Sequence, residues 1–323
     1  MKIGIVILNY NGHDDTVDCL SSLSKITTAH DVKVVVVDNG SKEEQVPQIA
    51  NSKSQTVHVE LLRNTVNKGF SGGNNVDIEY CMKDEAEAVI LLNNDTFVSP
   101  DFIDRLVMAS KHNDHQAIIG PKIYFAAGYE FHKEKYKKSE QGNVIWYAGG
   151  VIDWKNVYAS HRGVDEIDGG QFDDADETAF VTGCCMFIPR KIIRDIGVLD
   201  DNYFLYYEDA DYCMRAKKKG FSLRYEPSSH IWHKNAQSSG SSGSDVQIYY
   251  QTRNRLLFGM RYAPVRTRVA LIRESMSFFT QGGERRNAVV DYFMGKLGKR
   301  YSNHFRGGGL MSSVWIPACA GMT

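Results

Sequence analysis

Long apolar runs are missing from this chain of 323 residues, since nowhere do 18 apolar residues follow one another. A helix that crosses a membrane needs about that many, so the sequence predicts no membrane-spanning helix. The six cysteines are scattered and no C-x-x-C pair occurs, which favours a reduced, cytoplasmic chain. Residues 1–9 become polar too soon for a signal peptide, and they predict a buried strand instead.

Catalytic signatures of several enzyme classes are also lacking. No H-E-x-x-H zinc motif occurs, and the serines of residues 238–244 form no G-x-S-x-G elbow. The Gly-rich residues 67–75 match neither a P-loop nor a G-x-G-x-x-G motif. The missing zinc spacing and serine elbow argue against a zinc site and a serine hydrolase.

Net charge is close to zero, −1, but the charges are unevenly spread. Between Arg253 and Arg306 there are 12 Lys and Arg against 3 Asp and Glu, whereas the remainder carries 26 basic and 36 acidic residues. A basic C-terminal part favours contact with phosphates or a lipid surface, although a solvated helix face has the same composition. We expect no nucleic acid partner, because the chain is not basic overall and lacks a recognition motif.

The first 120 residues alternate between apolar runs and helical patterns. Strands are predicted over 3–8, 32–37, 57–62 and 88–92, and helices over 14–26, 43–51, 72–82 and 100–111. This alternation predicts an α/β fold with a mostly parallel sheet flanked by helices. Because ligands of such sheets bind beyond the carboxyl ends of the strands, the polar residues that follow the strands are the candidate site.

Two groups of residues stand at these strand ends. Asp38 follows the second strand, and Asn93-Asn94-Asp95 follows the fourth. A carboxylate there can accept from a base or a ribose hydroxyl, and an Asp beside amides can hold a divalent metal. Residues 67–75 place glycines ahead of a helix, where backbone can approach an anion. Taken singly, each is equally well an ordinary turn.

After residue 120 the alternation stops. Strands are predicted over 144–154, 179–188, 221–225 and 229–232, loops over 129–142 and 169–177, and helices from 189 and over 209–219. Residues 235–244 predict a mobile Gly/Ser-rich segment. Residues 246–301 are helical in pattern, with breaks at Pro264 and at Gly282-Gly283.

The C-terminal helical region carries one apolar stripe at helical spacing. Its members are Val265, Val269, Ile272, Met276 and Phe279. We expect the stripe to pack on the rest of the protein, with peripheral attachment to anionic lipid as the alternative.

Residues 206–211, Tyr-Tyr-Glu-Asp-Ala-Asp, place three carboxylates at a predicted helix start. Acidic residues stabilise helix N-termini, but clustered carboxylates also raise one another's pKa, which suits a general base. Downstream, His230 and His233 would point to opposite faces of a strand and would not bind one ion together. Cys184 and Cys185 are expected to fill core space.

These segments occur in a fixed order along the chain. They are residues 6–12, 36–41, 67–75, 91–96, 146–150, 182–186 and 206–211, followed by His233 and Arg253-Asn254. The ordered set resembles that of the inverting family 2 glycosyltransferases with the GT-A fold, in the rhamnosyltransferase-like branch of polysaccharide biosynthesis. The resemblance covers residues 1–300 and implies a Rossmann-like GT-A sheet with a C-terminal helical extension.

The resemblance implies a division of the chain and a role for each matching residue. Residues 1–245 would form the catalytic domain, with a nucleotide half over 1–120 and an acceptor half over 121–245; residues 246–303 would be the helical region and 304–323 a disordered tail. The implied nucleotide-binding residues are Asn9, Tyr10, Asn11, Asp38, Asn67, Lys68, Gly69, Asn93, Asn94 and Arg253. Asp209, with Glu208 and Asp211, would supply the catalytic base.

The implied metal ligands are Asp95 and His233, which would bind Mg²⁺ or Mn²⁺ together with the diphosphate of the donor. Asn93 stands where the family has the first Asp of its D-x-D motif. This exchange removes one negative charge, so metal affinity would rest more on the donor's own diphosphate.

The implied reaction moves a sugar, rhamnose among the candidates, from a dTDP- or UDP-sugar to a hydroxyl of a saccharide or lipid-linked acceptor. It would take place in the cytoplasm, with the inner face of the cell membrane as the alternative site.

Two other functions stay open at this point. A nucleotidyltransferase would carry a Gly- and Lys/Arg-rich turn after its first strand, whereas residues 9–12 are uncharged. A non-catalytic nucleotide-sugar-binding module would not need the acidic residues of 208–211. The interpretation as a transferase requires Asp38, Asp95 and Asp209 to converge.

Overall fold

A ten-stranded mixed sheet forms the centre of the fold. The computed structural model describes residues 1–42, 58–235 and 244–300. The strands of these ranges are β1 (Lys2–Asn9), β2 (Asp31–Asp38), β3 (His58–Arg63), β4 (Ala88–Asn93), β5 (Thr96–Val98), β6 (Ala117–Phe125), β7 (Ile145–Tyr147), β8 (Gly150–Asp153), β9 (Tyr158–His161), β10 (Asp176–Glu177), β11 (Cys185–Pro189) and β12 (Ser222–His233). The helices are α1 (His13–Leu23), α2 (Gly69–Lys83), α3 (Phe102–His112), α4 (Arg190–Ile196), α5 (Glu208–Lys218), α6 (Asp245–Tyr262), α7 (Val265–Gln281) and α8 (Gly283–Phe293).

The N-terminal strands form the parallel half of the sheet. The strand order is β10-β12-β6-β11-β4-β1-β2-β3, with β5 paired to β12 and β7 to β6; β8 and β9 form a separate hairpin. Strands β4, β1, β2 and β3 are parallel to one another, because helical crossovers return the chain to the same end of the sheet. The predicted α/β class and the four N-terminal strands are therefore confirmed. The helix predicted over 43–51 lies outside the described residues.

Strand β1 is buried on both faces. Ile3, Ile5 and Ile7 pack in one hydrophobic cluster, and Val6 and Leu8 pack in another. Successive side chains of a strand point to opposite faces, so a strand covered on both sides needs an unbroken apolar run, as this one has.

The second half of the sheet departs from the predicted elements. The run predicted as one strand over 144–154 is divided into β7 and β8 at Gly149, whose φ is +104°. Within 179–188, strand structure begins only at Cys185. Conversely, the two strands predicted over 221–232 are the single strand β12, which has a bulge between Glu226 and His230. Pro227 lies in that bulge, where the missing N–H costs no ladder hydrogen bond.

The C-terminal helices break where Pro264 and Gly282 predict, but the apolar stripe of α7 is not packed on the protein. Its five members are between 36% and 73% exposed. The face that is buried carries Leu271, Ser275 and Phe278 instead. The expectation of packing is wrong because α7 has two apolar faces, and spacing alone does not tell which of them is covered. Among the helices of the three described ranges, none has the length and apolar character needed to cross a bilayer.

The segment before α5 has a strained backbone. Three of its residues have positive φ angles, from 63° to 71°: Phe204, Tyr206 and Tyr207. This conformation is unfavourable for residues other than glycine. Asn254 of α6 holds the segment, since its Nδ2 lies 2.8, 2.6 and 2.9 Å from the carbonyl oxygens of Tyr203, Leu205 and Tyr206.

Replacement of Asn254 by Ala should lower the free energy of unfolding by about 2–3 kcal/mol, because buried carbonyl groups lose their donor. Urea unfolding followed by circular dichroism measures the change. Gln251→Ala, a half-buried position on the same helix, is the matched control and should cost less than about 1 kcal/mol. Equal losses in the two variants would contradict the role given to Asn254.

Candidate active site

The carboxyl ends of β1, β2, β3 and β4 bring the first polar residues together. The parallel registers pair Asn9 with Asp38, Asp38 with Arg63, and Leu8 with Asn93. Asn9 Nδ2 donates to Asp38 Oδ1 at 3.0 Å, and Arg63 Nε lies 3.5 Å from Asp38 Oδ2. Asp38 is completely buried, and its Oδ2 has no hydrogen-bond partner among the described residues. That oxygen can accept a hydrogen bond from a bound base.

The turn after β1 is fixed by side chains. Asn9 Oδ1 accepts from the Gly12 N–H at 3.2 Å and from Thr16 Oγ1 at 3.0 Å. Ser41 Oγ accepts from the Asn11 N–H at 2.8 Å, and Asn11 is left-handed with φ of 53°. Tyr10 lies half-buried in the same turn. The predicted nucleotide residues 9–11 thus form one rigid turn at the sheet edge.

Asn39 joins that edge to the Gly-rich segment. Its Nδ2 donates to Asn67 Oδ1 at 3.1 Å and to the Gly69 carbonyl oxygen at 3.0 Å. Its Oδ1 accepts from the Lys68 N–H at 3.1 Å and from Asn64 Nδ2 at 3.1 Å. Residues 67–69 are therefore held against the turn after β2, beside Asp38.

Asn93, Asn94 and Asp95 follow β4 and have different surroundings. Asn94 Nδ2 donates to the Gly12 carbonyl oxygen at 3.2 Å and to Thr16 Oγ1 at 3.0 Å, which ties this turn to the start of α1. Asn93 is 2% exposed, and neither atom of its amide group has a hydrogen-bond partner within the described residues. Buried polar groups normally have partners, so an unsatisfied amide at this edge fits a ligand group such as a ribose hydroxyl.

Strand β12 brings His233 to Asp95. Thr96 pairs with His233 in the antiparallel ladder between β5 and β12, and His233 Nε2 lies 3.0 Å from Asp95 Oδ1. Both residues are buried, and the other imidazole nitrogen of His233, Nδ1, has no hydrogen-bond partner in the described ranges. The ring stacks edge-on against Trp146, with centroids 4.5 Å apart.

The Asp95–His233 pair fits a divalent cation. Adjacent ligands of an octahedral ion with bonds of 2.0–2.1 Å are about 3.0 Å apart, which is the distance between Asp95 Oδ1 and His233 Nε2. Among the described residues there is no cluster of three or more His, Cys, Asp or Glu that could hold a metal ion. Mg²⁺ is commonly held by one or two protein side chains, and substrate phosphates complete its coordination shell.

Asp209 lies at the first turn of α5. Its Oδ2 accepts from the Gly183 N–H at 3.0 Å, its Oδ1 accepts from the Ala210 N–H at 2.7 Å, and the residue is 1% exposed. The positive end of the helix dipole favours a negative charge at this position. Two backbone N–H groups thus position the Asp209 carboxylate.

Glu208, the neighbour of Asp209, has a different environment. It is completely buried, and neither carboxyl oxygen has a hydrogen-bond partner within the described ranges. Burial, and then the charges of Asp209 and Asp211, raise the pKa of the Glu208 carboxyl well above its usual value. The Glu208 carboxyl therefore retains its proton to higher pH than an exposed glutamate does.

Asp211, the third predicted acid, is held in a structural network. Its carboxylate accepts from the hydroxyls of Tyr203 and Tyr262 at 3.0 and 2.8 Å, and from Arg215 and Arg261 at 2.9 and 3.0 Å. Two arginines and two tyrosines use its acceptor capacity, so these contacts give Asp211 a role in joining α5 to α6.

Arg253 is likewise occupied in the interior. It is completely buried, and its guanidinium donates to the carbonyl oxygens of Asn202, Tyr203 and Gly298 at 3.0, 2.9 and 2.6 Å. A fourth bond reaches Asn254 Oδ1 at 2.9 Å. The structure therefore places Arg253 behind the segment that leads into α5, not on a diphosphate.

Backbone contacts join the separate pieces of the site. The Phe70 N–H donates to the Phe204 carbonyl oxygen at 2.7 Å, and Gly69 permits this approach, because a Cβ there would lie 2.4 Å from Phe204. A Cβ on Gly183 would lie 3.0 Å from the Phe70 ring and 3.6 Å from Asp209 Cβ. The Asn93 N–H donates to the Cys184 carbonyl oxygen at 2.9 Å. The turns that carry Asp38, Asp95 and Asp209 are thereby linked at one edge of the sheet.

Three residues of this edge were not among the predicted site residues. Asn39 and Ser41 belong to the segment 36–41 that the sequence marks, but their roles depend on which loops fold against them. Lys299 Nζ donates to the Asn67 carbonyl oxygen at 3.0 Å. The basic surplus of the C-terminal part was the signal for such a cation, although composition does not say which basic residue returns to the nucleotide edge.

Comparison with known proteins shows the family of the chain. The sequence profile described as "Glycosyltransferase like family 2" matches residues 2–259. The low-salt glycan biosynthesis hexosyltransferase Agl10 of Haloferax volcanii is 24% identical over 256 residues, which are 79% of this chain and 74% of that protein. The N-acetylglucosaminyl-diphospho-decaprenol L-rhamnosyltransferase of Mycobacterium tuberculosis is 25% identical over 244 residues, 73% of this chain and 77% of that protein.

A similar fold is found among solved structures. The crystal structure of GalNAc-T7 with UDP, GalNAc and Mn²⁺ aligns with a TM-score of 0.57 at 17% identity, over 72% of this chain and 43% of that one. This likeness confirms the predicted GT-A fold. Because the profile match extends over most of the 323 residues, the chain belongs to the glycosyltransferase-like family 2.

Proposed function

We propose that this chain is an inverting glycosyltransferase that moves a sugar from a dTDP- or UDP-sugar to a hydroxyl of a saccharide or lipid-linked acceptor. The observation that carries the proposal is the arrangement of Asp209. Its carboxylate is held by the Gly183 N–H at the same sheet edge as Asp38 and the Asp95–His233 pair. A nucleotide site, a cation site and a base are the three parts that the reaction needs.

The nucleotide end of the donor is assigned to the turns after β1, β2 and β4. Asp38 Oδ2 would accept from the base, and the unsatisfied amide of Asn93 would meet the ribose. The turn of residues 9–11 and the Gly-rich residues 67–69 would surround the nucleotide, since their backbones are fixed by Asn9 and Asn39. A rigid turn loses little conformational entropy when the ligand binds.

Asp95 and His233 would hold Mg²⁺ or Mn²⁺ at the diphosphate. A divalent cation there supplies Lewis acidity, which stabilises charge on the departing diphosphate. The burial of both side chains excludes competing water from their contact.

Asp209 would accept the proton of the acceptor hydroxyl. As that O–H bond breaks, the acceptor oxygen forms a bond to the anomeric carbon of the donor, and the bond from that carbon to the diphosphate oxygen breaks with its electron pair. Attack from the face opposite the leaving group inverts the anomeric configuration, and no covalent enzyme intermediate is required. Asp209 is the better proton acceptor of the two, because two backbone N–H groups bind its carboxylate and favour the charged form, whereas the raised pKa of Glu208 favours the protonated form.

Replacement of Asp209 by Asn should lower kcat by about 10²-fold or more, because Asn cannot accept the proton. The rate of UDP or dTDP release from a panel of UDP- and dTDP-sugars measures turnover, and calorimetry checks that nucleotide affinity is retained. Asp195→Asn, an exposed acid of α4, is the control. Near-native kcat in Asp209→Asn would remove Asp209 from the role, and release of pyrophosphate from a nucleoside triphosphate would favour a nucleotidyltransferase.

Loss of a metal ligand should weaken metal-dependent nucleotide binding. Removal of a residue that only supports a ligand costs about 10–100-fold in metal affinity, so His233→Gln and Asp95→Asn should each reduce the gain in UDP or dTDP affinity on adding Mn²⁺ by at least about tenfold. Titration calorimetry with and without Mn²⁺ measures the gain. His230→Gln on the same strand is the matched control, and an undiminished effect of Mn²⁺ in His233→Gln would contradict the assignment.

The buried Glu208 makes stability depend on pH. Above its ordinary pKa of 4.5 the unfolded chain releases the proton that the native protein retains, so the free energy of unfolding falls as pH rises, by up to about 1.4 kcal/mol per pH unit. Glu208→Gln removes this dependence, and its stability advantage over the wild type should grow between pH 5 and pH 8.

Urea unfolding at the two pH values tests the role of Glu208, with Glu79→Gln, an exposed residue of α2, as the control. An advantage of Glu208→Gln that is the same at both pH values would show that the carboxyl ionises normally in the native protein.

A further inference from the structure

Helix α7 presents an uncovered apolar stripe next to arginines. The stripe residues follow one another at alternating intervals of four and three, Val265, Val269, Ile272, Met276 and Phe279, which keeps them on one side of a helix. Its most exposed members are Val265 and Met276, at 73% and 63%. Contiguous exposed apolar surface of this kind marks a docking site more often than isolated apolar residues do.

The stripe is not the face that attaches α7 to the protein. Leu271, Ser275 and Phe278 provide the buried side. The acidic residue of α7, Glu274, is engaged by Arg255 of α6 through two bonds of 3.0 and 2.9 Å. The helix is therefore anchored by one face, and the stripe lies on another.

The charge that borders the stripe is positive. Arg266 and Arg273 each follow a stripe residue directly, are seven residues apart and are both exposed. Helices α7 and α8 also lie in the part of the chain with the basic surplus. The stripe is thus an apolar face bordered by arginines, and the acidic residue of the helix, Glu274, is paired with Arg255 instead. This arrangement is typical of a helix that lies in the interface of an anionic bilayer.

We propose that α7 is an in-plane docking helix for an anionic lipid surface, with the stripe residues inserted among the acyl chains and Arg266 and Arg273 on the headgroups. A lipid surface satisfies both features, whereas a second copy of the chain would bring arginines against arginines with no free acid of α7 between them. This role is independent of catalysis. The family match ends at residue 259, so α7 lies beyond the part of the chain that the family shares.

Vesicle flotation of the full chain tests the proposal without any sugar nucleotide. The chain should float with vesicles of phosphatidylcholine mixed with phosphatidylglycerol at low salt, and less with phosphatidylcholine alone or at high salt, since salt screens the attraction. Met276→Ser/Phe279→Ser should lower the vesicle partition coefficient at least tenfold. Arg266→Gln/Arg273→Gln should lower it roughly tenfold on anionic vesicles and little on neutral ones.

Matched controls use exposed residues elsewhere. Met108→Ser/Val151→Ser removes apolar groups that are 50% and 47% exposed on α3 and β8, and Lys138→Gln/Arg194→Gln removes two exposed charges; both should float like the wild type. Thermal unfolding checks that the variants are folded, which is expected because the changed side chains are exposed.

Several outcomes would overturn the proposal. They are a wild-type chain that stays at the bottom of the gradient, and a stripe variant that floats like the wild type. Light scattering that shows a dimer, lost in the stripe variant and without flotation, would identify a second copy as the occupant. Flotation only after removal of residues 301–323 would identify the chain's own C-terminal segment as the cover.

Discussion

The geometry of the site depends on one amide group. Three carbonyl oxygens of the segment before α5, whose backbone is partly left-handed, lie within hydrogen-bond distance of Asn254 Nδ2. The Arg253 guanidinium donates to two carbonyl oxygens of the same segment. The position of that segment sets where α5 begins, and therefore where Glu208 and Asp209 lie. It also contacts the Gly-rich segment through the bond from the Phe70 N–H to the Phe204 carbonyl oxygen. Backbone strain of this kind persists only where the surroundings over-determine it.

The electrostatic design of the site separates two adjacent carboxyl groups. The Asp209 carboxylate accepts from two backbone N–H groups, whereas the Glu208 carboxyl is completely buried and its pKa is raised by that burial and by the charge of Asp209. Adjacent identical charges in the interior would repel strongly. Keeping one of them neutral allows the other to act, and it costs stability that the rest of the fold must offset.

The sequence alone predicts those parts of the fold that follow from regular repetition. An unbroken apolar run marks a strand covered on both faces, and the parallel arrangement then puts Asn9, Asp38 and Asn93 at the same edge. Arg253 shows the limit of prediction from sequence. An arginine that binds a phosphate and one that donates to buried carbonyl oxygens look the same in a sequence. The stripe of α7 shows a second limit. Periodicity identifies an apolar face of a helix, but which of two apolar faces is buried depends on tertiary packing. The bulge at Pro227 and the break at Gly149 depend on neighbouring strands that are distant in sequence.

The family resemblance implies a boundary near residue 245, yet the Arg253–Asn254 pair lies beyond it and supports residues 202–206. The family match likewise extends to residue 259, past this pair. A substitution at the Arg253–Asn254 pair of helix α6 therefore limits the conformations open to residues 202–206, and a changed backbone there would leave this pair without its acceptors. Recombination between homologous genes would preserve this support only where residues 202–206, the Arg253–Asn254 pair and the Gly298 carbonyl that Arg253 binds come from the same parent.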